Sequence, residues 1–264
     1  MRIALGLEYD GKAFSGWQSQ PDCPTVQDAL ELALSQIACG TVRTHCAGRT
    51  DAGVHALAQV VHFDVAVQRP LSAWVRGVNA LLPSAVAVRW AKVVPDEFHA
   101  RFSAQSRRYR YILLNRPERP GILAGKVGWC HQPLDEEAMR KAAVCLLGEH
   151  DFSSFRDAQC QAKSPVKTLY RLHLTREGDC LLFDFHANAF LHHMVRNIVG
   201  ALIYVGMGRQ APDWLPELLA ACDRRRAAPT FAPDGLYLSG VDYEAHWGLP
   251  VATGMMLVPQ NLHF

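Results

Sequence analysis

The segment CAGRTDAGVHA, Cys46 to Ala56, places Arg49 and Asp51 on either side of Thr50 and between Gly48 and Gly53. A guanidinium this close lowers a carboxylate's pKa, keeps it ionised and can orient it through charge-assisted hydrogen bonds. Such a carboxylate can serve as nucleophile, base or metal ligand. The two glycines permit a tight turn or the close approach of a ligand. For a generic G-x-x-D-x-G segment the ordinary alternative is an Asx turn with a surface salt bridge, because Asp and Gly are the default turn residues.

Other chemistries fit less well. His45, Asp51, His55 and His62 lie near one another in sequence, but H-E-x-x-H is absent and no second carboxylate is close. The doublet His192-His193 has no E/D-x-x-H companion, and scattered histidines are more often structural, so no metal is expected. GILAGKV has the wrong spacing for a P-loop and lacks the hydroxyl residue after Lys126. No G-x-G-x-x-G follows a strand, and glycoside hydrolysis by the usual route needs two carboxylates where this loop offers one.

The net charge of +2, from 27 Lys and Arg against 25 Asp and Glu, does not announce a nucleic-acid binder, but the basic charge is clustered. Six arginines and one glutamate fall in RFSAQSRRYRYILLNRPER, Arg101 to Arg119. Arg156, Lys163 and Lys167 form another group; DRRR, residues 223–226, reads as a solvated face. On a strand, Tyr109 and Tyr111 share one face while Arg108 and Arg110 share the other. Arginines beside stackable aromatics suit single-stranded or flipped-base recognition, although core packing claims at least one of the tyrosines. In FLHHMVRNIVGALIYV, residues His193, Arg196, Asn197 and Gly200 follow i, i+3, i+4, i+7 spacing opposite an apolar arc. A stripe of that composition, without Glu or Lys, is expected to face a cleft and meet backbone or phosphate.

The elements that must position these residues follow from periodicity. Alternation predicts strands over the first nine residues, 41–47, 58–65 and 86–94, and, in the second half, over 107–114, 168–175, 180–187 and 235–243. Thr25 and Asp28 cap a helix that Gly40 ends; Asp135 caps another ending at Gly148; a short helix covers 71–78 and a long one 190–205. Both halves read βαββαβ, the ferredoxin-like order, with the boundary between residues 1–104 and 105–264. Two such units could join their sheets around a cleft. The expected class is α/β (α+β) with a mainly antiparallel sheet. The eight cysteines lack C-x-x-C and read as reduced thiols of a cytoplasmic protein, no apolar run is long enough to span a bilayer, and Glu8 and Asp10 come too early for a signal peptide.

These motifs together resemble the bacterial tRNA pseudouridine synthase A family. SGWQSQ, CAGRTDAGVHA, GVNALLP, FHARFSA with RRYRY, FLHHMVRNIVG and APDGLYL occur in the family's order along essentially the whole chain. Ser15 departs from it, since relatives often carry an aromatic there. The resemblance implies the pseudouridine synthase fold with a central RNA-binding cleft, and isomerisation of uridines at tRNA positions 38 to 40 in the anticodon stem-loop. It implies that Asp51 is the catalytic carboxylate, that Arg49 pairs with it, that Tyr109 stacks on the target base, and that Arg196 and Leu236 line the pocket. Arg108 and Arg110 are expected to bind RNA. It implies a homodimer with no metal, nucleotide or other cofactor. Asp51 could add to ribose C1′ or uracil C6, or act as a base at C2′. A non-catalytic RNA-binding protein would leave the Asp51 loop without a role, and a metal phosphoesterase would need Asp51, His55 and His62 together.

Overall fold

In the computed structural model, which describes residues 1–250, ten strands form one sheet. β1 (Arg2–Tyr9) sits between β3 (His55–Asp64) and β4 (Val86–Val94), antiparallel to both. Alternation puts Ile3, Leu5 and Leu7 under α1 (Val26–Ala38), which buries Val26, Leu30, Ala33 and Leu34. The hydroxyl of Thr25 accepts the Asp28 N–H at 3.2 Å, as its capping pattern predicts. The left-handed residue that ends the helix is Cys39, one position before the expected glycine.

Only His45–Cys46 of the expected 41–47 strand pairs, as β2, with β3. The reason is local: Val42 donates its N–H to Ser35 Oγ, and Thr44 donates its N–H to Glu31 Oε1, so this stretch follows α1 instead of a sheet edge. Eight residues, 47–54, then connect β2 to β3.

The second half is built around β5 (Ala104–Asn115), flanked by β9 (Cys180–Ala187) and β10 (Leu236–Tyr243), with β8 (Val166–Glu177) beyond β9. Three elements beyond the sequence expectation appear. β6 (Gly128–Cys130) pairs parallel to the end of β5, β7 (Gly148–Asp151) extends the sheet beyond β8, and α4 (Trp214–Ala221) packs near β7. α2 (Glu136–Ala143) stops before Gly148, which opens β7. The sheet runs β4-β1-β3-β10-β5-β9-β8-β7. β3 meets β10 in parallel, Tyr237 opposite His55 and Leu238 opposite Ala56, so the last strand lies against the one that leaves the Asp51 loop.

α3 (Met194–Gly206) begins four residues later than periodicity suggests, because His193 adopts a left-handed φ of 62°. Residues 190–193 therefore leave the helical path before α3 starts. Its arc of Asn197 and Gly200 meets backbone, as expected of that stripe. The amide nitrogen of Asn197 donates to the Phe155 carbonyl at 2.8 Å, and a Cβ at Gly200 would fall 2.5 Å from the Pro229 oxygen.

Candidate active site

Asp51 is placed by three layers of support. The Gln59 side chain, fully buried in β3, donates to the Gly48 carbonyl at 2.6 Å and to the Tyr9 hydroxyl at 3.3 Å. The Tyr9 hydroxyl in turn meets Thr50 Oγ1 at 2.8 Å, so the residues just before Asp51 are pinned to β1. From the other side, Trp17 donates its N–H to the Thr50 carbonyl at 3.0 Å. Its neighbour Gly16 has φ +97°, and a Cβ there would lie 2.8 Å from that same carbonyl oxygen. Gly16→Ala is thus expected to lose roughly 1–3 kcal/mol by overpacking, with added strain from the left-handed backbone. Urea unfolding measures this, and the midpoint should fall while the slope is unchanged.

The Asp51 side chain is 18% exposed. Arg196 of α3 reaches its Oδ2 with Nη1 at 3.1 Å while Nε donates to the Phe231 carbonyl at 2.8 Å, so one guanidinium clamps the carboxylate to a fixed backbone point. His192 Nε2 lies 3.3 Å from Asp51 Oδ1, and His193 Nε2 lies 3.4 Å from Oδ2. The opposite ring nitrogens face Asp157, His193 Nδ1 at 2.8 Å from Oδ2 and His192 Nδ1 at 3.5 Å from Oδ1.

Burial alone would raise the Asp51 pKa. The His192 hydrogen bond and the positive charge of His193, Arg196 and His192 outweigh it, leaving the carboxyl below its usual value. His192 is raised, first by its hydrogen bond to Asp51, whereas burial lowers His193. The group is ionised at neutral pH, shielded from most solvent, and held at both oxygens. It can donate an electron pair or accept a proton. Asp51, His192 and His193 also offer one ligand atom each within 4.8 Å of one another, a set that could hold a metal ion.

The remaining expected residues distribute differently. Arg49 does not pair with Asp51: it is exposed and donates to Gln161 Oε1 at 3.3 Å, because Arg196 and the two imidazoles already occupy the carboxylate. Tyr109 is 8% exposed, lies opposite Leu238 of β10, and packs edge-on against Phe190, with ring centroids 5.0 Å apart. Its phenol feels the Asp51 charge, and its hydroxyl lies 3.8 Å from where a Gly48 Cβ would be, so its ring borders the Asp51 loop. Leu236 is buried one row further along, opposite Tyr111.

Arg108 and Arg110 lie on the other face of β5, away from Tyr109 and the helices. There they bond to Asp242 at 2.8 Å and bidentately to Asp184 at 2.7 and 3.0 Å, so this structure does not bring them to Asp51. The neighbouring Arg107 does reach the loop, donating to the Ala47 carbonyl at 3.0 Å. His55 and His62 are likewise elsewhere. His55 accepts the Gly11 N–H, and burial pushes His62 down to about 4 while its Nδ1 accepts the Ala100 N–H. Asp157 was not singled out by the sequence, since 36 positions separate it from the histidine it bonds.

The family described as tRNA pseudouridine synthase matches residues 7–103 and 142–244 of this chain. Among curated proteins, the tRNA pseudouridine synthase A of Chromobacterium violaceum is 66% identical over 95% of this chain and 96% of its own. Those of Dechloromonas aromatica and Aromatoleum aromaticum are both 63% identical, covering 95% and 98% of each chain.

Proposed function

Because the chain belongs to the tRNA pseudouridine synthase family, isomerases that form pseudouridine in tRNA, we propose that Asp51 is the catalytic carboxylate and that its targets are uridines 38, 39 and 40 of the anticodon stem-loop. The observation that carries the role of Asp51 is its environment: an ionised carboxylate largely shielded from water and clamped by Arg196 at 3.1 Å. The reaction breaks the N1–C1′ bond, turns the uracil and joins C5 to C1′; a proton leaves C5 and one is gained at N1. No electrons are exchanged with a cofactor, so the chemistry asks for a positioned base or nucleophile and a dry site. Asp51 supplies the electron pair, at C1′, at C6, or toward the C2′ proton. Arg196 keeps it charged and aimed. Low solvent access protects the detached sugar from water.

The target nucleotide must leave its stack, at a cost of a few kcal/mol, and the ring of Tyr109 beside the loop offsets about 1–3 kcal/mol by stacking. Leu236 extends the apolar wall one row beyond Tyr109. Arg49, exposed at the rim, supports catalysis by meeting the RNA backbone, and Arg108 and Arg110 contribute to RNA binding if their acidic partners yield to phosphate. The sheet order supports a division into ferredoxin-like units, residues 1–104 and 105–264, of which 251–264 lie outside the described residues, with the RNA cleft where β3 meets β10. The enzyme acts as a cytoplasmic homodimer without a required cofactor. No helix among the described residues is long and apolar enough to cross a membrane.

The test uses anticodon stem-loop RNA tritiated at uracil C5. Tritium release from positions 38 to 40 without strand cleavage is expected; release confined to other uridines overturns the site assignment. Tyr109→Phe should keep activity within a few-fold, whereas Tyr109→Ala should lose roughly tenfold to a hundredfold in kcat/KM through lost stacking. Thermal melts separate this from the cavity effect, and equal losses in both variants would assign the role to the hydroxyl.

A further inference from the structure

We propose that Asp51, His192 and His193 form a binding site for a first-row divalent cation, zinc foremost, and that its occupation switches the enzyme off. Binding follows from the geometry of the three side chains; inhibition rests additionally on the reading of Asp51 as the reactive group.

Zinc bound to nitrogen and oxygen at about 2.0–2.2 Å in a tetrahedron sets neighbouring ligand atoms roughly 3.3–3.5 Å apart. His192 Nε2 lies at that spacing, 3.3 Å from Asp51 Oδ1, whereas His193 Nε2 is 3.4 Å from the other oxygen, Oδ2, so a small turn of its ring or of the carboxylate brings it onto an ion held at Oδ1. All three residues offer an atom within 4.8 Å of the others, so no large rearrangement is needed. Three protein ligands leave a fourth position open, the arrangement of an accessible zinc site.

The far side of the imidazoles is built as zinc ligands require. Each ring turns Nδ1 toward Asp157, which is itself held by the Gln159 N–H at 2.8 Å and donates its own N–H to the His192 carbonyl at 3.1 Å. A carboxylate behind a histidine fixes the tautomer that presents a lone pair at Nε2. With its proton on Nδ1, bonded to Asp157 at 2.8 Å, His193 presents an Nε2 lone pair to Asp51, while His192 bonds Asp51 through an Nε2 proton that an incoming metal ion replaces. Two acceptors at that separation repel unless a cation lies between them, either a proton or a metal ion.

The charge balance admits an ion. Asp51 and Asp157 bring two negative charges against Arg196 and, near Asp157, Arg224, and the metal ion enters in exchange for the proton shared by His192 and Asp51. Arg196 sits at Oδ2, which leaves Oδ1 as the metal's oxygen. The His192 side chain is 37% exposed and gives an ion a way in from solvent. Once bound, the metal holds the electron pair that the isomerisation needs.

The experiment titrates the chelator-treated enzyme with Zn²⁺ by calorimetry and with Co²⁺ by visible absorption, with tritium release measured in parallel. One equivalent per chain is expected, with a tetrahedral cobalt spectrum free of thiolate charge-transfer bands. Activity should fall in step with occupancy and return with EDTA. The double substitution His192→Gln, His193→Gln should weaken binding by a hundredfold or more. Asp157→Asn should weaken it roughly 10–100-fold while leaving all three ligands in place. Circular dichroism checks that both variants fold. Absence of stoichiometric binding, a thiolate band, or affinity unchanged in both folded variants overturns the site. Zinc bound at the histidines with turnover undiminished overturns the inhibition, and would count against Asp51 as the reactive group. Loss of turnover in Asp51→Asn, together with no zinc binding by the wild-type enzyme, overturns this proposal alone.

Discussion

Asp51→Asn abolishes tritium release from C5-labelled RNA, with a fall on the order of 10⁴-fold or more, while RNA affinity and fold persist. The side chain keeps its size and one accepting oxygen, so the Arg196 contact at 3.1 Å can survive as a hydrogen bond from the guanidinium to a neutral acceptor. What disappears is the charge, and an amide can neither attack carbon nor take a proton at neutral pH. Loss of a group that acts as a reaction's nucleophile or base commonly costs about this much. Stability changes less and depends on pH. The folded-state pKa of Asp51 is depressed, so its ionised form contributes stability above its unfolded value, and that contribution is lost as pH falls through the folded one. The melting difference between wild type and variant should therefore shrink on acidification below the ordinary carboxylate range. Turnover near the wild-type rate would remove Asp51 from the mechanism.

Much of this frame is legible in the sequence where local periodicity matches tertiary need. β1, β4, β5 and β9 send alternate side chains into the main core, and α1 buries one face there under a Thr25 cap; the pattern and the packing agree. Illegible elements have non-local causes. β2 shrinks because Glu31 and Ser35 of α1 take backbone donors that alternation assigns to a sheet. β6 and β7 are short edge strands, formed because β5 and β8 leave them room to pair.

The site divides the same way. The Asp51 loop stands out because small residues isolate one carboxylate. Arg196 falls on the polar arc of its helix, but only coordinates reveal that it displaces Arg49 as the carboxylate's partner. The His192-His193 doublet is visible in the sequence. Its role is not, because the left-handed backbone of His193 turns the pair out of α3, and Asp157 arrives from a distant loop. Separation in sequence, more than weakness of signal, hid the cluster.

Arg196→Met should lower kcat roughly 10²–10³-fold and, unlike the Asp51 substitution, reshape the pH profile. Burial pushes the Asp51 carboxyl upward, and the guanidinium is among the charges that hold it down. Without Arg196 its pKa rises, so the acid limb of kcat/KM shifts toward neutral pH and the variant recovers part of its deficit as pH increases. Arg196→Lys separates charge from placement. An ammonium restores the positive charge, but it lacks the planar fork that engages Asp51 and the Phe231 carbonyl together at 3.1 and 2.8 Å. The Lys variant should return the acid limb close to its wild-type position while recovering only part of the rate. A Met variant with a large rate loss and an unmoved limb would make Arg196 a strut for the carboxylate and no more. The two imidazoles would then be what keeps Asp51 ionised, His192 foremost, since its hydrogen bond is the largest favourable influence on that charge.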